Sequence, residues 1–235
     1  MKKTLLYGLA LMATMFGFTS CSDEQHTDTT ITYYVVLDMQ GEEFVEVPVG
    51  TTYTDAGCKA ELDGEDYTSN IVTEGLDGID VNTPGLYTVT YSAVSPDGYS
   101  SSVERTVAVC DPSITTDLSG TYTVQSGSYR LYNGSTKAYS GYTVTISKAA
   151  SGIFYVSDYL GGWYDQRAGY GSNYACWGYM QLLEDNSLVC LSSYVNGWGD
   201  SLEDGFEGTY DPEAGTITWD AIYTTYPFVF HVILN

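Results

Sequence analysis

The hydrophobic positions at the start of the chain form a single block. Met1-Lys2-Lys3 is followed by an apolar stretch from residue 4 to residue 18 and then by Thr19-Ser20-Cys21. A charged start, an apolar stretch too short to span a bilayer comfortably and small residues before a cleavage site are typical of a secretory signal peptide. We therefore predict a signal peptide over residues 1–20 and a polar, flexible tether over residues 21–31.

Between residues 32 and 111, hydrophobic and β-branched residues fall into short segments separated by Asp-Gly and Pro-Gly turns. This is the pattern of strands rather than of helices. The predicted strands are Ile31–Leu37, Phe44–Val47, Gly57–Glu61, Leu86–Ala93 and Ser102–Val109. Strands of this length, with a turn about every dozen residues, suit a small β-sandwich.

A second run of short strands covers residues 118–235, after a predicted linker over residues 112–117. The strand candidates are Gly120–Val124, Tyr129–Tyr132, Tyr142–Ser147, Ile153–Ser157, Tyr179–Leu183, Leu188–Ser192, Gly205–Tyr210, Thr216–Trp219 and Phe228–Leu234. Within Phe206–Trp219, an Asp-Pro-x-x-Gly turn joins two strands into a hairpin. Consecutive hairpins favour an up-and-down β-meander closed into a barrel, and a second β-sandwich is the alternative. We predict an all-β fold.

Composition and charge exclude some partners. The chain contains 23 Tyr against 7 Phe and 4 Trp, and Tyr favours strands while keeping a polar tip at a wet surface. Without residues 1–20 the chain keeps 6 basic and 30 acidic residues, a formal charge of −24. Because Lys and Arg bind phosphate backbones and anionic lipid head groups, we expect no nucleic-acid partner and no adhesion to the membrane surface.

Cys21 directly follows the small residues, which resembles the lipobox of bacterial lipoproteins. The resemblance implies a lipid on the Cys21 sulfur and acylation of the new amino terminus, and two acyl signals suffice for stable anchoring. Ser22-Asp23-Glu24 resembles the export signal of Bacteroidota-type lipoproteins. That resemblance implies an outer-membrane location facing the cell exterior, with membrane contact only through the lipid; ordinary acidic residues in a solvated tether are the alternative.

Three segments of the first region resemble the bacterial surface Ig-like domain. They are Tyr53-Thr54-Asp55-Ala56-Gly57, the segment Val81–Tyr91 and the final strand Arg105–Val109. The resemblance implies a spacer or adhesion module without catalytic residues, and Cys58 departs from it because a small or branched residue is usual there. In the second region, Leu118–Val124 and the hairpin resemble the lipocalin-like domains of Bacteroidota-type surface lipoproteins. Such proteins often accompany outer-membrane glycan-uptake systems.

The cysteines other than Cys21 are Cys58, Cys110, Cys176 and Cys190. An exported chain can hold disulfides, and a domain boundary near residue 112 favours the pairs Cys58–Cys110 and Cys176–Cys190. The sequence alone allows three connectivities, and free thiols are the alternative.

Catalysis and metal binding have little support in the sequence. The two histidines are His26, in the tether, and His231, which alternates with apolar neighbours, so a His-based triad or zinc site lacks parts. The acidic residues are too numerous for spacing to single out a glycosidase pair. Asp63–Asp66 and Asp77–Asp80 place oxygen ligands together in turns, but neither has EF-hand spacing and turn chemistry explains both. We expect no enzyme activity, no metal and no cofactor.

The stretch from residue 158 to residue 177 holds six aromatic residues and four glycines. Long loops in compact domains are usually functional or disordered, and disorder fits poorly with so many rings. Sugar rings present flat C–H faces to Trp and Tyr while polar side chains bind the hydroxyls, so this composition suits a glycan site. A second such loop spans residues 194–200. The candidate ligand-binding residues of the two loops are Trp163, Tyr164, Arg167, Tyr170, Tyr174, Trp177, Asn196 and Trp198.

Two alternatives stay open for these rings. They plug the end of the barrel or belong to its core, or they contact a protein partner, since Tyr, Trp and Arg dominate interface hot spots. The expected function is a surface lipoprotein that binds a polysaccharide or oligosaccharide through its C-terminal domain. The alternative is a non-catalytic structural or adhesion module that contacts an outer-membrane protein.

Overall fold

The computed structural model describes residues 32–202, 205–223 and 227–235. Over these ranges the chain forms seventeen β-strands, and its helical turns are no longer than five residues. No helix in this described part is long and apolar enough to cross a bilayer. The predicted signal peptide, the tether with His26, and the lipidation site Cys21 lie outside the described residues.

The first half of the described chain is the predicted small β-sandwich, with seven strands in two sheets. The strands are β1 (Val36–Met39), β2 (Phe44–Pro48), β3 (Cys58–Leu62), β4 (Glu65–Asp66), β5 (Val72–Glu74), β6 (Gly85–Val94) and β7 (Ser100–Cys110). One sheet has the order β1-β3-β4, and the other has the order β2-β7-β6-β5. β2 runs parallel to β7 and the other pairs are antiparallel. The alternating residues Val89, Tyr91, Val107 and Val109 are buried because they face the interior of the sandwich.

The Tyr-x-Asp-x-Gly motif of this half is explained by one buried arginine. Arg105, which is 1% exposed, forms an ion pair with Asp55. The hydroxyls of Tyr91 and Tyr53 donate to the same carboxylate at 2.6 and 2.8 Å, and the Gly57 N–H donates to it at 2.9 Å. Burial alone would raise the pKa of Asp55, but these hydrogen bonds and the guanidinium outweigh it, and the pKa is lowered. The motif therefore supplies the counter-charge that a buried arginine requires.

The second half is one ten-stranded antiparallel sheet, which confirms the predicted meander of hairpins. Its strands are β8 (Gly120–Thr123), β9 (Tyr129–Tyr132), β10 (Ser135–Ala138), β11 (Thr143–Ala150), β12 (Ile153–Val156), β13 (Trp177–Leu182), β14 (Ser187–Tyr194), β15 (Phe206–Asp211), β16 (Thr216–Tyr223) and β17 (Phe228–Leu234). The sheet order is β10-β9-β17-β16-β15-β14-β13-β12-β11-β8. β10 was absent from the predicted strands because all its residues are exposed and it lacks a hydrophobic alternation.

The ten-stranded sheet curls so that its β8 end reaches β17. Val124, next to β8, forms a β-bridge with Leu234 of β17. Thr123 and Asn235 exchange backbone hydrogen bonds of 3.1 and 3.3 Å beside that bridge. β17 also pairs with β9, so the last strand contacts both early strands of this half. The concave side encloses a large core that includes the buried Trp219.

The two halves contact each other closely across the predicted linker. Ala108 and Cys110 of β7 share a buried cluster with Ala150 and Ile153. The Ser151 N–H donates to a Glu46 carboxylate oxygen at 3.2 Å, which adds a polar bond to this cluster. Residues Tyr33–Asn235 accordingly form one compact unit.

The four described cysteines carry free thiols, so the predicted disulfides Cys58–Cys110 and Cys176–Cys190 are not present in the structure. Alternation along β7 explains why Cys58 and Cys110 are not bonded. Cys110 belongs to the buried cluster between the halves, whereas Cys58 packs against the sandwich core. Cys176 is fully buried in the second core, and the half-buried Cys190 contacts the Ser192 carbonyl through its sulfur at 3.3 Å.

Candidate functional site

A buried carboxylate fixes the long aromatic loop between β12 and β13. One oxygen of Asp158 accepts the N–H groups of Leu160 and Cys176 at 2.9 and 3.0 Å, and the other accepts the Gly162 N–H at 2.9 Å. These three bonds tie the first residues of the loop to its last residues. Burial raises the pKa of Asp158 to about 6, although the backbone hydrogen bonds act in the opposite direction. Asp158 was not predicted as a site residue, because nothing in the sequence distinguishes it from acidic side chains that are solvated at the surface.

Trp163 begins a π-helical turn, Trp163–Arg167, and it belongs to the core. Its ring is 4% exposed and lies between two guanidinium groups, with Arg130 at 4.8 Å and Arg167 at 4.1 Å from the ring centroid. Tyr139 packs edge-on against it at 5.0 Å. The alternative that the rings form part of the core therefore describes Trp163, which has no exposed face for a ligand. Arg167 is exposed, and it covers Trp163 from outside.

Four other rings form a cluster at the surface, which we call the aromatic rim: Tyr164, Tyr170, Tyr174 and Trp198. Tyr164 contacts Trp198 at 4.7 Å and Tyr170 at 5.9 Å between ring centroids. Tyr174 completes the rim, at 5.4 Å from Tyr170 and 5.1 Å from Trp198. Tyr170 is 57% exposed and Trp198 is 44% exposed. The rim thus presents aromatic faces to solvent.

The rim joins the two predicted loops. The Gly197 N–H donates to the Asn173 carbonyl at 2.7 Å. A Cβ at Gly197 would lie 2.6 Å from the Tyr174 ring, so glycine is required for this close approach. The structure therefore brings residues 158–177 and 194–200 together at one end of the strands of the curled sheet.

A cleft of about 520 Å³ opens beside the rim. It is lined by Tyr132, Tyr164, Trp198, Asp200, Tyr223 and Phe228. We call it the first cleft. Of these residues, only Tyr164 and Trp198 were predicted to bind a ligand. Tyr132 and Phe228 face each other across the β9–β17 pair with stacked rings at 4.5 Å, and that pairing joins strands far apart in the sequence.

A second cleft, of about 490 Å³, is lined by residues of both loops. It includes Tyr155, Asn173, Trp177 and Asn196, and the Trp177 ring N–H donates to the Asn196 side-chain oxygen at 3.3 Å. The predicted ligand-binding residues are thus divided among the first cleft, the rim, the second cleft and, for Trp163, the core.

Among the described residues, no group of three or more His, Cys, Asp and Glu side chains is placed to hold a metal ion. His231 pairs with Asp220 at 2.7 Å and stacks on Tyr129 at 4.9 Å, away from the cleft residues.

Comparisons with known proteins identify both halves. The family model of the bacterial surface protein Ig-like domain matches residues 37–109, and a model of a C-terminal domain matches residues 111–235. The crystal structure of the lipoprotein BT2262 from Bacteroides thetaiotaomicron is 42% identical over 86% of this chain and 100% of that chain, with a TM-score of 0.48. A comparison with curated proteins gives no match.

Two structures from Clostridium perfringens ZmpB show weaker similarity. The structure of CBM51-2 in complex with GlcNAc and INT domains is 19% identical over 52% of this chain and 29% of that chain, with a TM-score of 0.27. The structure of the M60 catalytic domain with CBM51-1 and CBM51-2 is 18% identical over 53% of this chain and 14% of that chain, with a TM-score of 0.28. These similarities are too low to support an argument about this chain.

Proposed function

The chain belongs to the family of the Bacteroides thetaiotaomicron lipoprotein BT2262, and on that premise we propose that it is a lipid-anchored surface protein that binds glycans. In this proposal Cys21 carries the lipid, and Ser22-Asp23-Glu24 directs the protein to the outer membrane, facing the cell exterior. The Ig-like domain acts as a spacer, and the C-terminal domain carries the binding site.

The observation that supports binding is the first cleft beside the aromatic rim. Trp198 and Tyr164 meet at nearly a right angle, with an interplanar angle of 88°, so they offer two differently oriented faces to one ligand. Sugar rings pack their C–H faces on such aromatic surfaces. Asp200 lies in the same cleft and can accept hydrogen bonds from sugar hydroxyls.

We propose that this site binds without catalysing a reaction. Glycoside hydrolysis by the common mechanisms uses two carboxyl groups at a defined separation. Among the described residues that line the first cleft, Asp200 is the carboxylate, and the remaining lining residues are aromatic. This composition suits stacking and hydrogen bonding.

A glycan array with the wild-type protein and a Trp198→Ala variant tests the proposal. We expect wild-type binding to at least one polysaccharide and a loss of about tenfold or more in affinity for the variant, as for truncation of an aromatic hot spot. Tyr99→Ala is the matched control, because Tyr99 is 46% exposed and lies on the Ig-like domain. We expect this control to bind like the wild type.

Binding to no polysaccharide, or binding that Trp198→Ala leaves unchanged, would contradict the proposal. Recovery of an outer-membrane protein without any glycan would instead favour the structural or adhesion module.

A further inference from the structure

Resting on the glycan-binding function proposed above, we propose that the first cleft selects glycans with a negatively charged group, a carboxylate or a sulfate, and that Arg130 holds this group. Two observations support it: Arg130 lies against rings that line the cleft, and it has no counter-charge among the described residues.

Arg130 of β9 is half-buried and lies against rings that line the first cleft. Its guanidinium carbon is 5.0 Å from the ring centroid of Phe228 and 5.6 Å from that of Tyr132, and both rings line the cleft. Tyr164 is also close to Arg130. Burial raises the pKa of Tyr164, and the Arg130 guanidinium opposes that rise in part. Three of the residues lining the cleft therefore surround one cationic group.

Among the described residues, the charge of Arg130 has no acidic partner. The ion pairs of the described residues are Arg105–Asp55 and His231–Asp220. The Arg130 Nε atom is buried, and it has no hydrogen-bond partner among the described residues. Arg105 shows the usual solution in the same chain, since a carboxylate and two backbone carbonyls satisfy it. Arg130 as a whole is half-buried, and aromatic rings compensate its charge only in part, so an anion from a ligand would complete the site.

Asp200 lines the first cleft and repels anions, which favours a ligand orientation that places the negative group at Arg130.

Overall charge does not prevent this selectivity. The chain is strongly acidic, but surface charges beyond about 8 Å are largely screened at physiological salt. A guanidinium beside the cleft acts at shorter range, where it forms charge-assisted hydrogen bonds to carboxylate or sulfate.

The ligand side of the test uses the full chain and one array. Its arms are polygalacturonate, sialylated oligosaccharides, sulfated galactan without carboxylates, and the neutral glycans mannan, starch and methyl-esterified polygalacturonate. We expect binding in at least one anionic arm, weakened by added salt, and no comparable binding in the neutral arms. The carboxylate and sulfate arms distinguish the two sources of the charge.

The protein side of the test uses matched variants. Arg130→Met keeps an unbranched apolar side chain among the rings and removes the charge, and we expect an affinity loss of about 10- to 100-fold for the anionic probe. Arg130→Lys should restore part of that loss. Lys148→Met is the control, because Lys148 is an exposed cation of β11 and is not among the residues that line the first cleft or form the aromatic rim. It should bind like the wild type.

Tight binding to a neutral glycan that Arg130→Met leaves unchanged would overturn this inference and leave the proposed function intact. Binding to no glycan in any arm would overturn both.

Discussion

Replacing Asp158 with alanine should loosen the aromatic loop while the strands of the curled sheet stay in place. The carboxylate accepts three backbone N–H groups, from Leu160, Gly162 and Cys176. Alanine provides no acceptor, and the site is buried from water. The loop must then either keep three unsatisfied donors or open to solvate them.

The magnitude follows from two opposing effects. Three buried N–H groups without acceptors cost about 2 kcal/mol each, or about 6 kcal/mol together. Against this, burial raises the pKa of Asp158 from 3.8 to about 6, so keeping the carboxylate ionised costs the native state about 3 kcal/mol. We therefore expect Asp158→Ala to lower the free energy of unfolding by about 3 kcal/mol near pH 7.

The same pKa fixes the pH dependence. A carboxyl group with a raised pKa binds its proton more tightly in the native state, so its contribution to stability is largest near pH 4 and declines as the pH rises to about 6. The difference in unfolding free energy between wild type and Asp158→Ala should thus be larger near pH 4 than near pH 7, by about 3 kcal/mol.

Urea unfolding at several pH values measures this difference, and hydrogen exchange at the amides of residues 160, 162 and 176 locates it. Asp185→Ala is the control, because Asp185 makes the same kind of bond, to the Ser187 N–H, in an exposed turn. Its effect should stay within about 0.5 kcal/mol. A variant as stable as the wild type, or a difference that does not change with pH, would refute the reasoning.

Three further predictions follow from the packing. Arg105→Met should lower the free energy of unfolding by about 3–5 kcal/mol in chemical denaturation, because it leaves the Asp55 carboxylate without its cation; an unchanged midpoint would contradict this. Gly197→Ala should weaken glycan binding without lowering the melting temperature, because the new Cβ displaces Tyr174 from the rim; unaltered affinity in titration calorimetry would count against it. Burial raises the pKa of Cys176, so this thiol should resist alkylation in the native protein at about pH 8 and react once the protein is unfolded without a reductant. A Cys176 that stays unreactive after unfolding would indicate a disulfide and contradict this prediction.

Local patterns predicted most of the strands because burial follows alternation directly. In β16 every second residue from Ile217 to Tyr223 is buried, and this repeat is visible in the sequence. The Asp55 motif was also recognisable, although its role as the partner of Arg105 required the fold. β10 could not be found, since nothing in Ser135–Ala138 marks an inner face.

The site was harder to predict because it depends on which strands become neighbours. Trp163 and Trp198 lie in loops of similar composition, yet one is buried and the other is exposed. Tyr132 reaches the cleft through the β9–β17 pairing, which no local pattern encodes. Composition therefore indicated two loops that the fold brings together, but it could not assign each ring to a face.

The meeting of β17 with β8 and β9 also constrains the order of folding. During synthesis, the Ig-like half has all its strands well before β17 appears, whereas the second half keeps an unfilled sheet position until its final strand is made. Pairing between such distant segments is slow, because a long loop must close before the contact forms. Chaperones would thus have a long interval in which to bind this half unfolded, and the first cleft, whose wall includes Phe228, is among the last features to form.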